Sequence, residues 1–138
     1  MSYKILIVDD NEDIRDLVQG IADSFFRDHE KPKFFQVSNG LEAINSCFER
    51  MYDLIFCDIN MPQIDGLSFL KSLRKSESKN SETFVIMVSG YMGVIQANMD
   101  QGLENTYLLE KPFTDKSITM AMNIWMALRL KKSKGEST

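Results

Sequence analysis

The sequence predicts a doubly wound α/β fold, one five-stranded parallel sheet with helices on both faces. Three observations carry this prediction. Short apolar runs alternate with helix-period segments five times along the chain, the pattern of a (βα)5 unit. The first run, Lys4 to Val8 (Lys-Ile-Leu-Ile-Val), is continuous and rich in β-branched residues, as a strand covered on both faces requires. The length of 138 residues is that of one domain with room for a real core.

Each element has a local reason. After the first strand, Ile14, Leu17, Val18, Ile21, Ala22 and Phe25 follow the spacing of an amphipathic helix, with Asn11 as a suitable N-cap. Phe34 to Val37 is the second strand, and Leu41, Ile44, Cys47, Phe48 and Met51 read as the apolar stripe of the helix behind it. Leu54 to Cys57 is the third strand, ended by Asp58. Met61-Pro62 and Asp65-Gly66 are turn chemistry ahead of a helix marked by Leu67, Leu70 and Leu73. The polar stretch Lys75 to Glu82 reads as loop.

Phe84 to Val88 is the fourth strand, Gly93 to Gly102 brackets a short, weakly apolar fourth helix, and Tyr107 to Leu109 is the fifth strand. Ile118, Ala121, Met122, Trp125 and Leu128 form the core stripe of a fifth helix. We place the domain at 1–131 and read 132–138 as a polar tail or the start of a linker. Right-handed crossovers leave few topologies for such a chain, and we take the flavodoxin-like strand order 2-1-3-4-5.

Composition narrows the function classes. Hydrophobic residues make up 43% and charged residues 26%, an ordinary globular balance. A formal net charge of −4 argues against direct nucleic-acid binding, which needs clustered cations. The local basic run Arg129, Lys131, Lys132, Lys134 sits at a helix C-terminus, where cations suit the helix dipole. No apolar run reaches the ~18–20 residues of a membrane span, and no cleavage-site pattern follows Met1, so the reading is cytoplasmic, without membrane insertion. Cys47 and Cys57 fall in apolar stretches and read as buried free thiols. His29 reads as an exposed residue at the polar end of the first helix.

In a doubly wound sheet, ligands bind beyond the carboxyl ends of the strands. Those ends here are Asp9-Asp10 after strand one, Asp58 after strand three, Ser89-Gly90 after strand four and Lys111-Pro112 after strand five. Strand two ends in the neutral Ser38-Asn39-Gly40. With strands one and three adjacent, three carboxylates converge, and such a cluster calls for a cation. Oxygen ligands of this kind suit Mg2+, which prefers a site shared with phosphate. A carboxylate can also accept a phosphoryl group as an aspartyl phosphate. Transfer then needs its equatorial oxygens neutralised, which Mg2+, Lys111 and the Ser89 hydroxyl can do. A single acidic residue at a helix start is common and means little; five such groups on one edge do not arise easily by accident. The reading requires Asp9 and Asp10 to lie within ~10 Å of Asp58, the reach of one small hard ion.

These segments resemble the receiver domain of two-component response regulators over about residues 3 to 130. Ile5-Leu6-Ile7-Val8-Asp9-Asp10-Asn11 is similar to the family's first strand and acidic pair. Cys57-Asp58-Ile59-Asn60-Met61-Pro62 with Asp65-Gly66 is similar to its phosphoacceptor loop, Val88-Ser89-Gly90 to its switch hydroxyl, and Glu110-Lys111-Pro112-Phe113 to its lysine. The resemblance implies Asp58 as phosphoacceptor and Asp10 with Asp58 as direct metal ligands. It implies the backbone carbonyl of Asn60 as a further ligand, and Asp9 acting largely through water. It also implies a cis Lys111-Pro112 bond, with Lys111 and Ser89 on phosphoryl oxygens. The implied partners are a sensor histidine kinase or histidine phosphotransfer protein. Output would pass through the face of the fourth helix, fifth strand and fifth helix, to a downstream protein target or a homodimer. No turnover of an external substrate is implied.

The sequence departs from the family at the switch aromatic, expected three residues before the lysine. Leu108 holds that position and Tyr107 the one before it. Either a bulge lets Tyr107 serve, or Leu108 fills the slot and Tyr107 is a strand-favouring residue, which is the reading we prefer. Tyr91, two residues after Ser89, is read either as a control, with Asn60, on water reaching the acyl phosphate, or as an exposed loop aromatic. Met120, Ile124, Met126 and Leu130 extend the last helix's apolar surface beyond its core stripe, as a partner face or as gap-filling residues.

Three rival readings remain. A haloacid-dehalogenase-like phosphatase would carry a second carboxylate two residues after the nucleophile, where this chain has Asn60. A flavodoxin-type FMN binder would not place Asp9-Asp10-Asn11-Glu12-Asp13 where phosphate must sit. A phosphorylation-independent docking module of the same fold would not need Asp9, Asp10, Asp58, Ser89 and Lys111 all intact. The chain could also be a receiver cut from a longer parent at its linker.

Overall fold

A computed structural model describes residues 2–28, 30–90 and 104–135. The elements run β1 (Lys4–Val8), α1 (Glu12–Phe25), β2 (Lys33–Val37), α2 (Gly40–Glu49), β3 (Leu54–Asp58), α3 (Gly66–Lys75), β4 (Phe84–Ser89), β5 (Thr106–Glu110) and α4 (Asp115–Ser133). The strands form one parallel sheet in the order β2-β1-β3-β4-β5, as the sequence predicts. The helix expected within 93–102, Tyr91 and His29 lie outside the described residues. The helix expected last in the chain is therefore α4 here, and it runs to Ser133, past the boundary placed at 131.

The central strands are covered on both faces, which is why β1, β3 and β4 read as unbroken apolar runs. On one face Ile5, Ile7, Leu54, Phe56, Ile86 and Val88 meet Val18 and Ala22 of α1 and Ile118, Ala121, Met122 and Trp125 of α4. On the other, Leu6, Val8, Ile55, Cys57, Val85 and Met87 meet Ala43 and Cys47 of α2 and Phe69, Leu70 and Leu73 of α3. Burial pushes the Cys47 thiol up to about 12, and drives that of Cys57 well above its ordinary range. Both are free, buried thiols. Among the described residues no helix is long and apolar enough to cross a membrane.

The helix ends follow their sequence signals. Asn11 Oδ1 accepts from the amides of Asp13 and Ile14, Asn39 caps α2 and Asp65 caps α3. Thr114 and Ser117 form a reciprocal capping box on α4. Of the basic run, Lys131 and Lys132 lie in the last turn of α4, whereas Arg129 pairs with Asp53 at 2.6 Å.

Helix α2 departs from the expected stripe. Its buried residues are Gly40, Ala43 and Cys47, while Leu41 and Phe48 are 54% and 60% exposed and Met51 lies past its end. A Cβ on Gly40 would stand 2.7 Å from the Ile64 carbonyl oxygen, so this side must face inward for the helix to approach. Small residues at close range, rather than the bulkier apolar row, set the rotation. Leu17 of α1 and Leu128 of α4 are likewise half exposed.

The loop between α3 and β4 hides a polar core that its composition did not announce. Asn80 is fully buried; its Oδ1 accepts from the Tyr52 amide at 2.7 Å, and its Nδ2 donates to the carbonyls of Cys47 and Arg50 at 2.7 and 2.8 Å. Ser78 and Thr83 complete the cluster, the first donating to Cys47 and the second to Tyr52. Arg74 closes the same end of the sheet by donating to the carbonyls of Ser81, Glu104 and Asn105.

Candidate functional site

The sheet order puts the ends of β1 and β3 side by side, and both carry acid. Asp9 follows β1, and its amide donates to the Val37 carbonyl of β2 at 3.2 Å. Asp58 is the last residue of β3. Their side chains are buried, 6% and 4% exposed, while Asp10 faces solvent. One carboxylate oxygen from each of Asp9, Asp10 and Asp58 lies within 4.8 Å of the other two. This is well inside the ~10 Å that one small hard ion can bridge.

Burial is the largest influence on Asp9 and raises its pKa; the Asn11 amide, donating to Oδ1 at 2.9 Å, opposes it. Asp58 and Asp10 push the pKa further up, and Lys111 pulls it down. The only cation paired with Asp58 among the described residues is Lys111, whose Nζ stands 3.1 Å from Oδ1. Three carboxylates therefore face one ammonium. The donor set is hard oxygen throughout, clustered, with Asp10 open to solvent; it fits Mg2+, and offers nothing a softer metal would prefer.

The chain's other strand ends complete the edge. Ser89 ends β4 and is buried, and its carbonyl accepts from the Lys111 amide at 2.8 Å. Lys111-Pro112 is a cis peptide, as the resemblance implied. The Asn60 amide donates to Asp58 Oδ1 at 3.3 Å, with the Asn60 side chain exposed. Strands β4 and β5 pair one to one from Thr106 to Glu110, so no bulge shifts Tyr107. Leu108, three residues before Lys111, packs with the α2–α3 side of the core and Tyr107 with the α1–α4 side.

Two further residues shape the site. Gly66, in the turn that resembles the family's acceptor loop, opens α3 directly behind the acceptor. A Cβ there would sit 2.2 Å from the Asp58 carbonyl oxygen and 2.8 Å from Ile59 Cα, a clash with backbone that cannot yield. Its amide donates to the Ile59 carbonyl at 2.9 Å, closing the loop. Arg15, a polar position of α1, donates from Nη1 to the Asp9 carbonyl at 2.7 Å. An arginine one turn into a helix carries no local signal of such a bond.

Comparison with known proteins agrees with this geometry. The model of the response regulator receiver domain matches residues 5–123. Sporulation initiation phosphotransferase F of Bacillus subtilis (strain 168) is 29% identical over 129 residues, covering 94% of this chain and 98% of that protein. Transcriptional regulatory protein ResD of the same organism is 32% identical over 120 residues, covering 85% of this chain; the chain spans only 45% of ResD. Among solved structures, the chemotaxis response regulator CheY4 of Vibrio cholerae superposes with a TM-score of 0.76 at 23% identity, over 91% of this chain and 99% of CheY4. The receiver domain of sensor histidine kinase PA1611 from Pseudomonas aeruginosa PAO1 has a magnesium ion coordinated in its active site cleft. It superposes with a TM-score of 0.74 at 23% identity, over 92% of this chain and 99% of that one. At that identity the solved structures speak for the fold; the family match speaks for descent. This chain belongs to the response regulator receiver domain family.

Proposed function

We propose that the chain is a phosphorylation-dependent signalling switch that accepts a phosphoryl group on Asp58. The observation that carries this is the convergence of Asp9, Asp10 and Asp58 within 4.8 Å, with Lys111 Nζ 3.1 Å from the acceptor. Mg2+, held by Asp10, Asp58 and the Asn60 carbonyl with Asp9 acting largely through water, would supply charge neutralisation to the phosphoryl oxygens. An Asp58 carboxylate oxygen attacks phosphorus, the bond from phosphorus to the donor's histidine nitrogen breaks, and the freed imidazole keeps the electron pair. Lys111 pairs with one phosphoryl oxygen and the Ser89 hydroxyl donates to another.

The donor is assigned as a sensor histidine kinase or a histidine phosphotransfer protein. Supporting this, one full-length relative is named a phosphotransferase, and two similar structures are a sensor protein and a receiver of a sensor histidine kinase. The aspartyl phosphate carries close to two negative charges where the Asp58 carboxylate carried one, beside the carboxylates of Asp9 and Asp10. Output is assigned to β5 and α4 together with the segment 93–102 read as a helix, acting on a protein target or a second copy. Leu108 rather than Tyr107 occupies the family's switch position, and Asn60 with Tyr91 would tune the phosphate lifetime. We read the chain as cytoplasmic, without direct nucleic-acid contact and without turnover of an external substrate.

The test is incubation with acetyl phosphate and Mg2+, followed by intact-mass measurement. One phosphate mass should be added. It should be absent with EDTA and in Asp58→Asn. An unmodified wild-type chain would favour a docking module of the same fold.

A further inference from the structure

The corner that carries Asp9 and Asp10 is held at three successive peptide groups. The Asp9 amide donates to Val37 of β2 at 3.2 Å, and the Asn11 amide donates to Asp9 Oδ1 at 2.9 Å. Between them, the Asp9 carbonyl accepts from Arg15 Nη1 at 2.7 Å. That carbonyl belongs to the planar peptide unit joining Asp9 to Asp10. Fixing its plane fixes ψ of Asp9 and φ of Asp10, and so the directions in which both carboxylates leave the backbone.

Arg15 is itself anchored. Its Nε donates to Gln36 Oε1 on β2 at 3.0 Å, and Gln36 Nε2 donates to Gln19 Oε1 at 2.8 Å and Asp16 Oδ1 at 3.2 Å on α1. One planar guanidinium thus ties α1, the end of β1 and the edge strand β2. Lysine could not reach two acceptors in one plane. The placement is unfavourable in charge terms, because a fixed cation stands beside a corner meant to attract another. Its geometry must supply what its charge opposes.

We propose that Arg15 is a positioning residue for the divalent-cation site, presetting the Asp9–Asp10 peptide so that both carboxylates face Asp58. This rests on the metal-site reading given above and adds a residue to it. Outer-shell groups that orient ligands commonly change metal affinity by 10–100-fold when removed.

Charge and geometry make opposite predictions, and that makes the test sharp. Mg2+ is titrated calorimetrically into the full chain as wild type, Arg15→Gln, Arg15→Lys, Gln36→Leu and the Arg15→Gln/Gln36→Leu double variant, with thermal unfolding in EDTA alongside. Positioning predicts about tenfold weaker Mg2+ binding for Arg15→Gln and partial recovery in Arg15→Lys. Gln36→Leu, which keeps the charge, should weaken binding in the same direction by less. The double variant should be no weaker than Arg15→Gln, since both act through one linkage. Unchanged or tighter binding in Arg15→Gln would overturn the proposal, as would additive losses in the double variant. If Arg15→Gln fails to fold, Gln36→Leu decides alone, and wild-type affinity there counts against the proposal. A wild type that takes up no Mg2+ removes the metal site and this inference together; a wild type that binds beside an equally tight Arg15→Gln removes the inference only.

Discussion

Two aspartates flank the same strand and lead opposite lives. Asp53 precedes β3 and Asp58 ends it. At Asp53 the carboxylate accepts from Arg129 at 2.6 Å and from the Lys4 amide at 2.8 Å, while its own carbonyl accepts from Trp125 Nε1 at 3.1 Å. Every partner is a donor, and the group holds β1, β3 and α4 in register. At Asp58 the carboxylate has Lys111 at 3.1 Å and the Asn60 amide at 3.3 Å, but two further carboxylates lie within 4.8 Å. One end of the strand is neutralised; the other holds a surplus of negative charge. Unbalanced charge at a buried position is the mark of a site that expects a ligand.

The difference can be broken or sharpened by substitution. The largest effect is on chemistry: Asp58→Asn should lose all phosphate uptake from acetyl phosphate, and Asp53→Asn should keep it, both read by intact mass. Next is Gly66→Ala, which forces a Cβ into the Asp58 carbonyl; it should cost about 3 kcal/mol in urea unfolding and slow phosphorylation as well. At the amino-terminal end of the sheet, Asn80→Ala strips partners from buried amide and carbonyl groups, and should cost about 2 kcal/mol with phosphorylation intact. The smallest effects should differ in sign. In EDTA, Asp53→Asn should lose about 1 kcal/mol, whereas Asp58→Asn should be neutral or gain up to about 1 kcal/mol by relieving repulsion. Equal losses at both positions would erase the contrast.

The same division marks what the sequence made legible. The central strands β1, β3 and β4 were readable as continuous apolar runs covered on both faces, and the alternation with helices placed the edge strands β2 and β5. The acids, Ser89 and Lys111 were readable because each lies at or just past the carboxyl end of a strand, so the strand assignment places them. In helix α2 the apolar stripe is only half informative, since Ile44 and Cys47 pack on the core while its other members do not. There the close approach of Gly40 to Ile64 decides the rotation and leaves Leu41 and Phe48 outside. Asn80 and Arg15 were invisible for another reason. Their roles depend on carbonyls from distant segments, and a polar residue's partners across the fold leave no trace in its neighbours along the chain.

The bond from the Lys111 amide to the Ser89 carbonyl gives the acceptor edge a shared pivot. A hydroxyl on one side of it and an ammonium on the other hang from backbones joined at that point. The carboxyl ends of β4 and β5 are thereby tied together on the edge that holds Asp58.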